Sequence, residues 1–124
     1  MAPLRTVMNS KIHRAIVTEA DINYIGSITI DLNLIEAANI GEWEKIEVLN
    51  ITNGSRLETY VIPAKRGSGK VCINGAAAHL VHPGDLVILV TYKNIEEDKM
   101  KEHCPTIIHV NERNEIVEMN DHAR

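Results

Sequence analysis

Apolar residues in this chain gather in short stretches divided by turn residues, a pattern that predicts strands rather than long helices. From Lys11 to Thr18 apolar and basic residues mix, and β-branched Ile12, Ile16 and Val17 favour a strand. Glu19-Ala20-Asp21 reads as a turn or a single helical turn before the loop Tyr24–Ser27, and Ile28-Thr29-Ile30 as a short strand. Asp31 suits the N-cap of a helix over Leu32–Asn39, with Leu32, Ile35 and Ala38 or Asn39 at helical spacing and Gly41 past the end. Lys45–Thr52 and Arg56–Ile62 flank Asn53-Gly54, the strongest hairpin signal in the chain.

Further on, Val71–Ile73 predicts a strand running into a short helix at Gly75–Ala78. His82-Pro83-Gly84-Asp85 predicts a turn feeding the buried strand Leu86–Tyr92. The charged stretch Ile95–His103 reads as a surface helix stopped by Pro105. Thr106–Val110 and Glu115–Met119 read as a final strand pair, with a polar tail from Asn120 onward. Short strands, turn punctuation and a few short helices predict a mainly β chain, closed into a barrel rather than layered as α/β.

Composition narrows the function classes. A chain of 124 residues predicts one domain spanning 1–124. With no Phe, one Trp and three Tyr, its core must be aliphatic. A net charge of −4 with scattered basic residues argues against a nucleic-acid partner, which needs a basic stripe and aromatic platforms. Cys72 and Cys104 lie far apart without metal-ligand spacing, predicting reduced thiols. No run reaches the length of a membrane span and the N-terminus lacks an apolar leader, so a cytoplasmic protein without a membrane partner is expected.

Several motifs fail on inspection. Gly67-Ser68-Gly69-Lys70 suggests a phosphate loop, but Ala64 stands where the first glycine is needed and Val71 where a hydroxyl is needed. His79 and His82 lack a nearby third ligand, so no metal site is expected. No nucleophile-elbow motif supports a serine triad.

Gly26-Ser27 carries more. A Gly-Ser step is an ordinary turn in most chains, yet a serine hydroxyl can also attack the preceding carbonyl and convert that amide to an ester. Such attack needs a strained or activated peptide, because an unstrained amide keeps its planar resonance form. In order along the chain stand Lys11-Ile12-His13-Arg14, Tyr24-Ile25-Gly26-Ser27, Asn53-Gly54-Ser55-Arg56-Leu57-Glu58-Thr59-Tyr60, Arg66-Gly67-Ser68 and Asn74-Gly75-Ala76-Ala77-Ala78-His79. Together they resemble the aspartate 1-decarboxylase family, from about Arg5 to about Tyr92.

The resemblance implies a six-stranded double-psi β-barrel, a homotetramer and sites at subunit interfaces. It implies self-cleavage into residues 1–26, the β chain, and 27–124, the α chain. Ser27 would become a pyruvoyl group, with no pyridoxal phosphate and no metal, forming a Schiff base with L-aspartate. The product would be β-alanine for pantothenate synthesis. Thr59 would bond the Gly26 carbonyl during cleavage, and Tyr60 would return a proton to the substrate carbon. Arg56 would hold the second carboxylate, with Lys11 the second basic residue near the site and Asn74 and the amides of Gly75, Ala76 and Ala77 completing it. His13 receives no catalytic role. Ile28 and Val7 depart from the family pattern without touching the chemistry. Two other readings remain open at this point: a non-enzymatic oligomeric β-barrel binding module whose chain stays whole, and a pyruvoyl decarboxylase for another amino acid.

Overall fold

The computed structural model describes residues 2–120. Its strands are β1 (Leu4–Ile16), β2 (Glu19–Asp21), β3 (Ser27–Asp31), β4 (Lys45–Asn50), β5 (Arg56–Ala64), β6 (Val71–Asn74), β7 (Leu86–Glu96), β8 (Thr106–Val110) and β9 (Ile116–Asn120). A short helix, α1 (Leu32–Ala37), and two 3-10 segments, Gly75–His79 and Glu97–Glu102, join them. The strands form one nine-stranded sheet in the order β2-β6-β3-β5-β4-β7-β1-β8-β9. The fold is mainly β, as the pattern predicts. The polar tail expected from Asn120 onward starts one residue too early, since Asn120 ends β9 opposite Ile107; its remainder lies outside the described residues.

Two expectations need correction. The sheet carries nine strands rather than six and is open, with β2 and β9 at its ends. The strand missed by pattern is β2, which pairs in parallel with β6 from Glu19↔Cys72 to Asp21↔Asn74. With a single apolar residue among three, it shows no periodicity, and its partner is remote in sequence. The expected surface helix over Ile95–His103 is instead the end of β7 followed by the 3-10 segment. β7 runs on to Glu96 because β1 pairs with it as far as Leu4↔Glu96. Both strands of this outer ribbon are largely exposed, so nothing in their hydropathy separates strand from surface helix.

Elsewhere local signals agree with the structure. Asp31 Oδ1 accepts from the Asn33 backbone N–H at 2.8 Å and starts α1. The helix closes earlier than expected, at Ala37, with Asn39 in the left-handed region at φ 59°. β4 and β5 form the expected hairpin, from Lys45↔Tyr60 to Leu49↔Arg56. Its connection is wider than a two-residue turn: Gly54, at φ 79°, donates to Asn50 O at 2.8 Å.

Alternation on the strands builds the core. Ile28 and Ile30 of β3, Val61 of β5 and Val71 and Ile73 of β6 turn to one face and are fully buried. Val48, Val87, Leu89, Ile12 and Ile108 continue the aliphatic interior across the other half of the sheet. Thr18, just beyond β1, ties the halves together: its N–H donates to Val71 O at 2.8 Å, and its Oγ1 accepts from Val71 N at 3.0 Å. Among the described residues no helix is long and apolar enough to cross a membrane.

Candidate active site

The same alternation that buries Ile28 and Ile73 leaves Ser27, Thr29, Cys72 and Asn74 on the opposite face. β3 and β6 pair antiparallel, with Ser27 opposite Asn74 and Thr29 opposite Cys72, so these four side chains form a compact polar group. Asn74 Nδ2 donates to Ser27 Oγ at 3.2 Å and to Thr29 Oγ1 at 3.0 Å, while the Cys72 thiol donates to Asn74 Oδ1 at 3.2 Å. Ser27, Asn74 and Cys72 are all buried. Burial, aided by the negative charge of Glu19, pushes the Cys72 thiol pKa up and keeps it protonated.

Ser27 opens β3 at φ 108°, a positive value rare for a residue with a side chain. Such a backbone stores roughly 1–3 kcal/mol when its surroundings over-determine it. Those surroundings are visible. The loop before Ser27 is folded by Asp21, whose Oδ1 accepts from Asn23 N at 3.0 Å. It then crosses Gly75 so closely that a Cβ there would lie 2.8 Å from Gly26 Cα, 2.9 Å from Gly26 N and 3.2 Å from Tyr24 O. Gly75 itself sits at φ 72°. Only glycine lets the 3-10 segment begin beneath the Gly26-Ser27 step.

On the other side of β3 lies β5, paired in parallel with Ile28 opposite Val61. One residue earlier, Tyr60 stands level with Ser27 and on its face. A Cβ on Gly26 would meet the Tyr60 hydroxyl at 3.8 Å, so the phenol borders the Gly-Ser step. Trp43 stacks on the Tyr60 ring, with centroids 5.8 Å apart and planes at 25°. Trp43 has φ 74° and is 66% exposed, so neither torsional preference nor burial accounts for its indole; the stack does. Its backbone is fixed by donation to Val61 O at 2.8 Å.

Other expected residues fall elsewhere. Thr59 is half-buried opposite Ile46, on the face of β5 away from Tyr60. Among the described residues it makes no hydrogen bond to Gly26. Arg56 is exposed at the start of β5, four residues or about 13 Å along the strand from Tyr60. Its charge is felt at Tyr92, whose phenol is pushed up by burial and by Glu47 while Arg56 opposes them. Lys11, on β1, is separated from β3 by β5, β4 and β7 in the order of the sheet. His13 lies on β1 with its ring against His109 of β8. Ala76 is exposed and Ala77 half-buried in the 3-10 segment after Asn74.

The chain thus brings Gly26, Ser27, Tyr60, Asn74 and Gly75 together and leaves Thr59, Arg56 and Lys11 apart. Sequence reasoning missed Cys72 and Trp43. No motif marks either one: Cys72 meets Asn74 two residues along its own strand, β6, and Trp43 reaches the Tyr60 ring from the turn before β4.

A family model for aspartate decarboxylase matches residues 3–117 of the chain. An aspartate 1-decarboxylase of Staphylococcus epidermidis is 55% identical over 116 residues, covering 94% of this chain and 91% of that protein. One from Staphylococcus aureus is 53% identical over 116 residues, with the same coverage of 94% and 91%. One from Corynebacterium efficiens is 52% identical over 120 residues, covering 97% and 88%.

Proposed function

The chain belongs to the aspartate decarboxylase family, and we propose that it decarboxylates L-aspartate to β-alanine with a pyruvoyl group made from its own Ser27. The observation that carries the maturation step is the buried Ser27 at φ 108°, pressed between Asn74 and the Gly26–Gly75 contact. Ser27 Oγ adds to the Gly26 carbonyl carbon, the Gly26–Ser27 C–N bond breaks, and the hydroxyl proton ends on the freed amine. Loss of the Ser27 α-proton then expels Gly26 as a carboxylate and leaves dehydroalanine. Water replaces its nitrogen, ammonia departs, and a ketone remains at the head of the fragment 27–124.

Strain in the backbone at Ser27 raises the starting state, and the donor on Oγ stabilises charge as the hydroxyl proton leaves. The family assigns Thr59 as a donor to the Gly26 oxyanion, and that role requires its hydroxyl to reach the carbonyl from the face of β5 opposite Tyr60. Position 27 fits a pyruvoyl group: once Oγ has left with the Gly26 carboxylate, the Asn74 amide that donated to it is a free donor beside residue 27, suited to a ketone oxygen.

The pyruvoyl ketone supplies the electron sink that decarboxylation of an amino acid requires. The rest of the work falls to the chain. The Tyr60 phenol, beside Gly26, is assigned to deliver a proton to the substrate carbon. Arg56 and Lys11 are assigned to the second carboxylate, which a guanidinium binds through two parallel bonds. Asn74 and the amides of Gly75, Ala76 and Ala77 are assigned to the substrate's remaining polar atoms.

Separation of Lys11 from Ser27 within the protomer supports the family's homotetramer, in which a neighbouring copy contributes to each site. The family likewise supports a double-psi arrangement of the core strands within this nine-stranded sheet, whose hydrogen-bonded order stays open; the Thr18–Val71 bonds link the end of β1 to β6. Intact mass tests the proposal. The unsubstituted protein should separate into fragments 1–26 and 27–124, the larger reacting with carbonyl reagents, whereas Ser27→Ala should stay whole and inactive. Aspartate decarboxylation by a protein with a single full-length mass would refute it.

A further inference from the structure

We propose that Cys72 is a positioning residue for chain cleavage: its thiol fixes the orientation of the Asn74 amide, so that the NH2 end faces Ser27 Oγ. The proposal deepens the function above and rests on Gly26-Ser27 being the cleavage site.

A side-chain amide has a donor end and an acceptor end, and a half-turn about its last torsion exchanges them. On one side of Asn74 stand two hydroxyls, Ser27 Oγ at 3.2 Å and Thr29 Oγ1 at 3.0 Å. Hydroxyls both donate and accept, so they do not choose between the two orientations. The choice falls to the third partner. A thiol donates to oxygen but is a poor acceptor for an amide N–H, so Cys72, 3.2 Å from Oδ1, selects the orientation with the amide nitrogen toward Ser27. Cys72 is only 5% exposed and Asn74 4%, which leaves little room for water to substitute for the thiol. The Cys72–Asn74 spacing is that of residues i and i+2 on β6, and the Asn74–Ser27 spacing is set by the register of β3 against β6, so neither depends on the mobility of any loop.

Orientation matters for the step itself. With its nitrogen toward Ser27, Asn74 offers a donor to Oγ as the hydroxyl proton leaves and the bond to the Gly26 carbonyl carbon forms. Turned the other way, the amide oxygen would face Oγ, and the negative charge that develops there as the proton leaves would be opposed instead of stabilised. The raised thiol pKa acts in the same sense, since a thiolate would attract the NH2 end away from Ser27.

The test uses freshly made full-length precursor, with the cleaved fraction followed over time by intact mass. Cys72→Val keeps an apolar residue in the same buried strand position without a donor, and Cys72→Ser keeps a donor. Cleavage of Cys72→Val should slow about 3- to 10-fold, the worth of one neutral hydrogen bond, with circular dichroism and thermal midpoint retained. Cys72→Ser should recover the unsubstituted rate. Should the valine variant fail to fold, Cys72→Ala carries the same expectation. A folded donor-less variant that cleaves at the unsubstituted rate overturns the role of Cys72 alone, and so does a serine variant as slow as the valine one. An unsubstituted chain that stays whole overturns the cleavage site itself, and this proposal with it.

Discussion

Gly75→Ala adds one carbon at the closest backbone contact of the candidate site. The new Cβ would lie 2.8 Å from Gly26 Cα and 2.9 Å from Gly26 N, where ordinary contact begins at 3.4 Å. Relief therefore requires the two segments to part by about 0.6 Å. Two costs act together. A Cβ in the left-handed backbone region that Gly75 occupies costs about 1–2 kcal/mol. Crowding it against backbone costs about 1–3 kcal/mol more if nothing moves.

The loop can move, however. Ile22, Tyr24 and Ile25 are 53%, 60% and 82% exposed, so lifting 22–26 sacrifices little packing. Against a total stability of about 5–15 kcal/mol the fold should survive, with a thermal midpoint lower by about 4–10 °C. Cleavage should suffer far more. A displacement of this order between reacting groups can cost about 100-fold, and the one that moves here is Gly26, the carbonyl under attack.

The assay is intact mass against time, beside thermal melting followed by circular dichroism. Gly84→Ala is the control. Gly84 has φ 91° with nothing within 4 Å of its Cβ position, so it bears the torsional cost without the contact. Gly84→Ala should melt lower yet cleave normally. A Gly75→Ala protein that cleaves at the unsubstituted rate would refute the role given to the contact. Equal slowing in both variants would assign the effect to general destabilisation.

Tyr60→Phe separates maturation from turnover: the chain should still cleave at Gly26-Ser27, while β-alanine formation at saturating aspartate falls by roughly 10²–10⁴. An uncleaved Tyr60→Phe chain would move the phenol's role to maturation, and undiminished turnover would remove it from the mechanism. Asp85 predicts a pH dependence of stability. Its Oδ2 accepts from Asn50 Nδ2 at 2.8 Å and from His82 N at 2.9 Å, and the Asn50 bond is the main cause holding its pKa below the ordinary 3.8. Because folding favours the charged form, its contribution is complete above that value and is lost as pH falls through the lower folded pKa. In urea unfolding, Asp85→Asn should therefore be less stable by about 1.5–3 kcal/mol near neutrality, with the gap closing only below the ordinary carboxylate value. A gap that stays constant into that acid range would show that the carboxylate's charge is not what matters.

What the sequence made legible follows the range of each interaction. Asp31 capping α1 and Asn53-Gly54 turning between β4 and β5 depend on residues close along the chain, and pattern finds them. β2 depends on β6 and the end of β7 on Leu4, partners remote in sequence, and pattern misses both. The site divides in the same way. Ser27, Tyr60, Asn74 and Gly75 stand in ordered motifs, yet their shared geometry depends on β3 lying between β5 and β6.

Gly75 illustrates the difference. Sequence reasoning valued it for an uncovered amide, whereas the structure shows its missing side chain accommodating Gly26. Cys72 shows it in another way. Read alone it is a reduced thiol of no consequence; beside Asn74 on β6, it is the one partner of that amide among the described residues that distinguishes its two ends. A residue that acts by orienting another carries no motif of its own. It becomes visible only when donors and acceptors are counted at the group it orients, and at Asn74 that count passes through Cys72 before it reaches Ser27.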